Sequence, residues 1–136
     1  MDAANNIILV LNDSSTNQVI ALRHSSATGW TAPEVLVTGS NVTDLHVAPN
    51  GNAVATWVVG GSRLFAARYS DANGWQSDAI SFDGHCCVSQ PKAVVDSNGV
   101  VTVLWDYGQL LAARRDPLTG WSPVSVVNGP LTSYSM

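Results

Sequence analysis

Val19-Ile20-Ala21-Leu22-Arg23-His24-Ser25-Ser26-Ala27-Thr28-Gly29-Trp30 aligns without a gap on Leu64-Phe65-Ala66-Ala67-Arg68-Tyr69-Ser70-Asp71-Ala72-Asn73-Gly74-Trp75. Both align on Leu110-Leu111-Ala112-Ala113-Arg114-Arg115-Asp116-Pro117-Leu118-Thr119-Gly120-Trp121. The Gly-Trp pairs lie 45 and then 46 residues apart, as do Arg23, Arg68 and Arg114. A second landmark precedes two of them: Pro49-Asn50-Gly51-Asn52-Ala53-Val54-Ala55-Thr56-Trp57 matches Ser97-Asn98-Gly99-Val100-Val101-Thr102-Val103-Leu104-Trp105. A fixed period of this length marks a chain built from one repeated supersecondary unit.

Working outward, each unit reads as short strands, because runs of Val, Ile, Leu, Ala and Thr are broken by turn chemistry. In the second unit strands are expected at 42–48, 52–59, 63–70 and 74–82, and in the third at 88–95, 100–106, 109–116 and 120–127. Asn50-Gly51 and Asn98-Gly99 fall at the first turn, where a tight connection needs residues that tolerate positive φ. Helical spacing with caps is nowhere sustained, so the fold class is all-β. Ile7-Ile8-Leu9-Val10-Leu11 and Val100-Val101-Thr102-Val103-Leu104-Trp105 are apolar on both faces, so both faces are expected to be buried. Four-stranded antiparallel sheets that recur at this period, covered on both sides, describe the blades of a β-propeller.

Composition agrees. Of 136 residues 46% are hydrophobic and only 12% charged, against about 25% charged in typical globular chains. Blades stacked face to face leave only their rims and the two ring faces for water. A net charge of −4 lacks the basic footprint of a nucleic-acid binder. No apolar run reaches the roughly 18 residues of a membrane span, and Met1-Asp2-Ala3-Ala4-Asn5-Asn6 lacks the basic region of a signal peptide. Neither nucleic acid nor membrane is expected as a partner, and the cytoplasm is the favoured location.

The first unit carries strands at about 6–12 and 17–24 before Gly29-Trp30, three strands where the others have four. Leu131-Thr132-Ser133-Tyr134-Ser135-Met136 matches Val42-Thr43-Asp44-Leu45-His46-Val47, the opening strand of the second unit, and residues 3–11 resemble 49–57. The expected single domain over 1–136 therefore has a blade at about 5–38 completed by strand 131–136, a blade at 42–82 and a blade at 88–127. A propeller typically closes with four to eight blades. The economical assembly is a head-to-tail homodimer, a six-bladed ring in which each chain's 131–136 completes the first blade of the other. The alternative is a piece of a longer propeller.

Asn50, Gly51, Ala53, Ala55 and Trp57, followed by Ala67, Arg68, Tyr69, Gly74 and Trp75, resemble a repeat of bacterial β-propeller proteins. The resemblance spans nearly the whole chain and implies the fold; propellers host lectins, hydrolases and scaffolds alike. The assembly plan is similar to that of small propeller lectins. Ser70-Asp71-Ala72-Asn73-Gly74-Trp75 echoes the sialidase-type Asp box, Ser-x-Asp-x-Gly-x-Thr-Trp, with a different spacing, which argues against a glycosidase.

The candidate ligand-binding residues are Arg23 with Trp30, Arg68 with Trp75, and Arg114 with Trp121, at clefts between blades. A guanidinium donates to vicinal hydroxyls and an indole stacks on the apolar face of a sugar, so the pair suits a carbohydrate or another small polar ligand. The competing reading buries each Arg against backbone carbonyls with Trp as a packing plug. Trp57 and Trp105 end a strand and are read as core in preference to a ring-face pocket.

His85-Cys86-Cys87 sits in the longest inter-unit connection. Adjacent cysteines do not have the spacing of a zinc site. Reduced thiols, a strained vicinal disulfide and a bond across a dimer all remain open there. Asp44 and His46 lie on one face of a first strand; Gln90-x-Lys92 is expected at the equivalent place in the third unit and Ser133-x-Ser135 in the last strand. With no nucleophile or metal ligand beside that pair, catalysis has little to stand on. The expectation is a non-enzymatic binding module with no catalytic residue, metal or cofactor. A protein-interaction scaffold is the alternative, and a hydrolase in the central channel ranks third.

Overall fold

Strand-forming runs alternate with turn residues along the whole sequence. The computed structural model, in which residues 1–80 and 88–130 are described, folds them into three antiparallel sheets with no helix among those residues. The first sheet holds β1 (Ile7–Asp13), β2 (Gln18–Ser25), β3 (Gly29–Trp30) and β4 (Glu34–Thr38). The second holds β5 (Val42–Val47), β6 (Ala53–Val59), β7 (Arg63–Ser70) and β8 (Gly74–Ile80). The third holds β9 (Ser89–Val95), β10 (Val101–Asp106), β11 (Gln109–Asp116), β12 (Gly120–Trp121) and β13 (Ser125–Pro130). Each repeat unit is one sheet, and the strands of the second unit begin and end within two residues of their expected bounds.

The outer strand departs from expectation in the first and third sheets, where it is two pieces: β3 and β4 both pair with β2, and β12 and β13 both pair with β11. Thr31 N–H donates to Arg23 O at 2.8 Å, but Arg23 N–H donates to the Thr31 hydroxyl, at 3.0 Å, in place of a carbonyl. Ser122 does the same for Arg114, at 2.7 and 3.1 Å. Pro33 and Pro123 follow with no N–H to return the ladder. The second unit has Gln76-Ser77-Asp78 there, and its outer strand runs unbroken beside β7.

The turn before the second strand is made the same way three times. Gly51 N–H donates to Ala48 O at 3.0 Å and Gly99 N–H to Asp96 O at 3.0 Å; in the first sheet Asn5 N–H donates to Asp2 O at 3.2 Å. The pivot has φ of 90°, 81° and 62° at Gly51, Gly99 and Asn5, a left-handed conformation open to Gly and tolerated by Asn. Residues 2–6 are thus the counterpart of 48–52 and 96–100. Yet β1 pairs only with β2 among the described residues, whereas its counterparts β6 and β10 are flanked on both sides. The strand that would precede the first turn falls to 131–136 in the sequence reading, outside the described residues.

Burial follows strand alternation. Val54, Leu64, Ala66 and Ile80 of the second sheet pack with Val101, Val103, Trp105, Leu111 and Ala113 of the third. The opposite face of the second sheet, Ala53, Ala55, Trp57 and Ala67, is as completely buried and turns toward the first sheet, whose Ile8, Val19 and Ala21 are buried. Among the described residues each of the two end sheets has one face left over. On the first it shows Leu9 (41% exposed), Leu11 (38%) and Trp30 (51%), and the third exposes Val94 (54%).

Candidate functional site

The junction between the first and second sheets is built around Arg23. Its Nη2 lies 3.0 Å from Asp71 Oδ1, and its guanidinium carbon sits 5.6 Å from the centre of the Tyr69 ring. The Tyr69 hydroxyl donates to the same Asp71 oxygen at 3.0 Å. Burial pushes the Tyr69 phenol above its ordinary pKa, and the bond to Asp71 pushes the same way. Tyr69 in turn packs at a tilt on Trp75, ring centres 5.4 Å apart. A cleft of about 190 Å³ opens here, lined by Arg23, Thr31, Glu34, Tyr69 and Trp75 among others.

At the next junction Asp78 gathers the corresponding groups. Its Oδ2 accepts from Arg68 Nε at 3.1 Å and Nη2 at 2.9 Å, and from the Trp121 indole N–H at 3.2 Å; Arg115 Nε of the third sheet is 3.3 Å away. Arg68 and Trp121 are therefore held by one carboxylate. Asp78 lies opposite Ala66, and opposite the matching Ala21 and Ala112 stand Glu34 and Ser125, because the broken outer strands carry one extra residue after the Trp.

Arg and Trp of the same repeat do not meet. Trp30 pairs with His24, the neighbour of Arg23, so strand alternation puts Trp30 and Arg23 on opposite faces of the first sheet. Arg23 and Arg68 instead face the aromatic residues of the following sheet: Arg23 lies over Tyr69 and lines a cleft with Trp75, and Arg68 shares Asp78 with Trp121. Arg114 is exposed on the last sheet. Trp30 stands at the other end, tilted on His24 with ring centres 5.0 Å apart, the same arrangement as Tyr69 on Trp75.

Asp44 and His46 are staples. Among the described residues strand β9 pairs on one side only, with β10, and two N–H groups of its other edge are taken by side chains from β5. Asp44 Oδ2 accepts the Ala93 N–H at 2.9 Å and His46 Nδ1 accepts the Val95 N–H at 3.1 Å, while Lys92 Nζ reaches Asp44 Oδ1 at 3.4 Å. The expected equivalence with Gln90-x-Lys92 is corrected by the register. Asp44 lies opposite Thr56 and Lys92 opposite Leu104, which makes Lys92 the counterpart of Asp44 and Val94 that of His46. The Asn-Gly turns stand 48 residues apart and the Gly-Trp pairs 46, and it is the offset of the turns that carries Asp44 onto Lys92.

Trp57 and Trp105 are each 1% exposed and belong to the core, Trp57 stacked on Phe65 with ring centres 6.0 Å apart. His85, Cys86 and Cys87 lie outside the described residues. Asp78 and Arg115 are functional-site candidates that repeat-based reasoning passes over: Arg115 does not recur, and the acid that answers to Asp78, Glu34, is one residue out of phase in a gapless alignment. The signal for Asp78 is an acid that Glu34 repeats once the extra residue after Trp30 is allowed for. Compared with models of known protein families and with curated proteins, the chain finds no match.

Proposed function

We propose that this chain is a half-ring of a β-propeller, three four-stranded blades that close with a second copy into a six-bladed ring, and that it serves as a non-enzymatic binding module. The ligand is a carbohydrate or similarly small polar molecule, held at the cleft between the first two blades. The observation that carries this reading is the Arg23 guanidinium lying over Tyr69 beside Trp75 at a cleft of about 190 Å³. It joins planar donors to an aromatic wall, the combination that recognises a sugar's hydroxyls and its apolar face.

The ring reading is supported by the way the junctions repeat. Arg114 occupies the position of Arg23 and Arg68 on an uncovered face, and the His24–Trp30 pair occupies that of Tyr69–Trp75 on another. A second copy supplies each with the other. The open edge of β1 is suited to residues 131–136 of that copy, whose pattern matches Val42–Val47. Exposed Leu9, Leu11 and Trp30 would be covered in the same step.

A glycan array, followed by titration of the best sugar, tests the ligand. Trp75→Ala and Arg23→Gln are expected to weaken binding at least about tenfold, with the melting temperature nearly unchanged for Arg23→Gln because its partner Asp71 is 65% exposed. A blank array, or variants that bind like wild type, would overturn the carbohydrate reading in favour of an interaction scaffold.

A further inference from the structure

The cleft between the second and third sheets has a different chemistry. It measures about 210 Å³ and is lined by Arg68 and Arg115 together with Asn52, Asn73, Gln76 and Asn98. Among the described residues no carboxylate belongs to its lining, on a chain whose net charge is −4. Both guanidiniums share one acid, Asp78, at 2.9 and 3.3 Å. One positive charge of the three groups is therefore left uncompensated.

Donors are also in excess. Arg68 uses Nε and Nη2 on Asp78; Arg115 uses Nε on Asp78 and holds Nη1 at 3.5 Å from the Asp116 carbonyl. Each guanidinium has five N–H groups, so several remain for the cleft. The two arginine side chains are only 17% and 18% exposed, which lessens solvent screening of their charge. A part-buried excess cation with amides around it suits a group that is negatively charged and rich in acceptor oxygens.

We infer that this cleft is an oxyanion site, taking the carboxylate or phosphate of a small molecule, with Arg68 and Arg115 as the principal donors. Its volume lies below the range of most drug-sized ligand pockets and limits the occupant to a small ion or a single ring. The site shares neither Arg23 nor Trp75 with the cleft between the first two sheets, and it does not depend on ring closure.

The test is a titration followed in amide ¹H–¹⁵N spectra, at ionic strength held constant with chloride, using inorganic phosphate, glucuronate and glucose in turn. Saturable shifts centred on Asn73 and Asn98 are expected with phosphate, with glucuronate, or with both, which tells the two anion sources apart; glucose is expected to leave these amides in place. Arg115→Gln should weaken the anion at least about tenfold. Asp78→Asn should strengthen it about tenfold by removing the competing charge, the opposite of what a merely structural carboxylate predicts. If Asp78→Asn does not fold, wild type and Arg115→Gln decide. Shifts spread over the surface without saturating, equal response to glucose, or undiminished binding in Arg115→Gln would overturn the site. Loss of sugar binding at Arg23 and Trp75 would leave it standing.

Discussion

Asp78 accepts the indole N–H of Trp121 at 3.2 Å, across the boundary between two sheets, while the same oxygen takes the Arg68 guanidinium at 2.9 Å. A side chain from one repeat thus binds its own arginine to the tryptophan of the next. Removing the carboxylate leaves two guanidiniums without their acid. Asp78→Ala is expected to cost about 2 kcal/mol in urea unfolding. A double-mutant cycle with Trp121→Phe should give a coupling of about 1 kcal/mol. Additive losses would mean that the indole and the carboxylate act independently.

The staples of β5 lead to a second expectation. His46→Ala leaves the Val95 N–H without its side-chain acceptor and Asp44→Ala does the same for Ala93, each at about 1–2 kcal/mol. Hydrogen exchange at Ala93 and Val95 should accelerate selectively in the matching variant. A catalytic role for the pair would instead leave exchange and stability close to wild type.

Left-handed turns give a third. A Cβ on Gly51 would meet Asp2 Oδ2 at 3.0 Å with φ +90°, and one on Gly99 would lie 3.3 Å from Pro117 Cγ with φ +81°. Gly51→Ala and Gly99→Ala are expected to lose about 1–2 kcal/mol each. Asn5→Gly at the equivalent pivot should stay within about 0.5 kcal/mol of wild type. A large loss in Asn5→Gly would show that residues 2–6 do more than turn the chain.

Acid titration supplies a fourth. The side-chain amide of Asn6, with the Asn6 and Ala4 backbone N–H groups, holds the Asp2 carboxyl below its ordinary pKa. Asp13 is lowered chiefly by the Ser15 hydroxyl and then that of Thr16. A folded-state value below the unfolded one stabilises the fold above the unfolded pKa, and this contribution is lost as pH falls through the folded one. Both carboxyls are exposed, so the readout is local: Asn6 and Ser15 amide shifts should titrate below the ordinary carboxylate range, at pH values where neighbouring strands remain folded. Titration at or above that range would contradict the hydrogen bonding around both carboxyls.

Much of the architecture was legible because period and turn chemistry are local. The strands of the second unit and the Asn-Gly turns follow from residues adjacent in sequence. Where Pro33 and Pro123 split the outer strand, the information was also local, but its effect runs through Thr31 and Ser122 hydroxyls that stand in for carbonyls, which the strand pattern does not reveal. The candidate site was harder to read. Alternation separates Arg23 from Trp30 onto opposite faces, so the meaningful pairs join different repeats. Asp78 escaped because its counterpart by register, Glu34, stands one residue out of gapless phase. Gln90 misled because the 46-residue offset of the Gly-Trp pairs does not hold in a strand that follows the 48-residue offset of the Asn-Gly turns.

In the proposed ring the uncovered faces at Arg114 and at Trp30 belong to one junction between two copies. Native mass spectrometry of the full 136-residue chain, beside a variant lacking residues 130–136, tests it most directly. A closed dimer that does not grow with concentration is expected, and its loss in the shortened variant. A stable monomer of the full chain, or a dimer indifferent to the deletion, would contradict it.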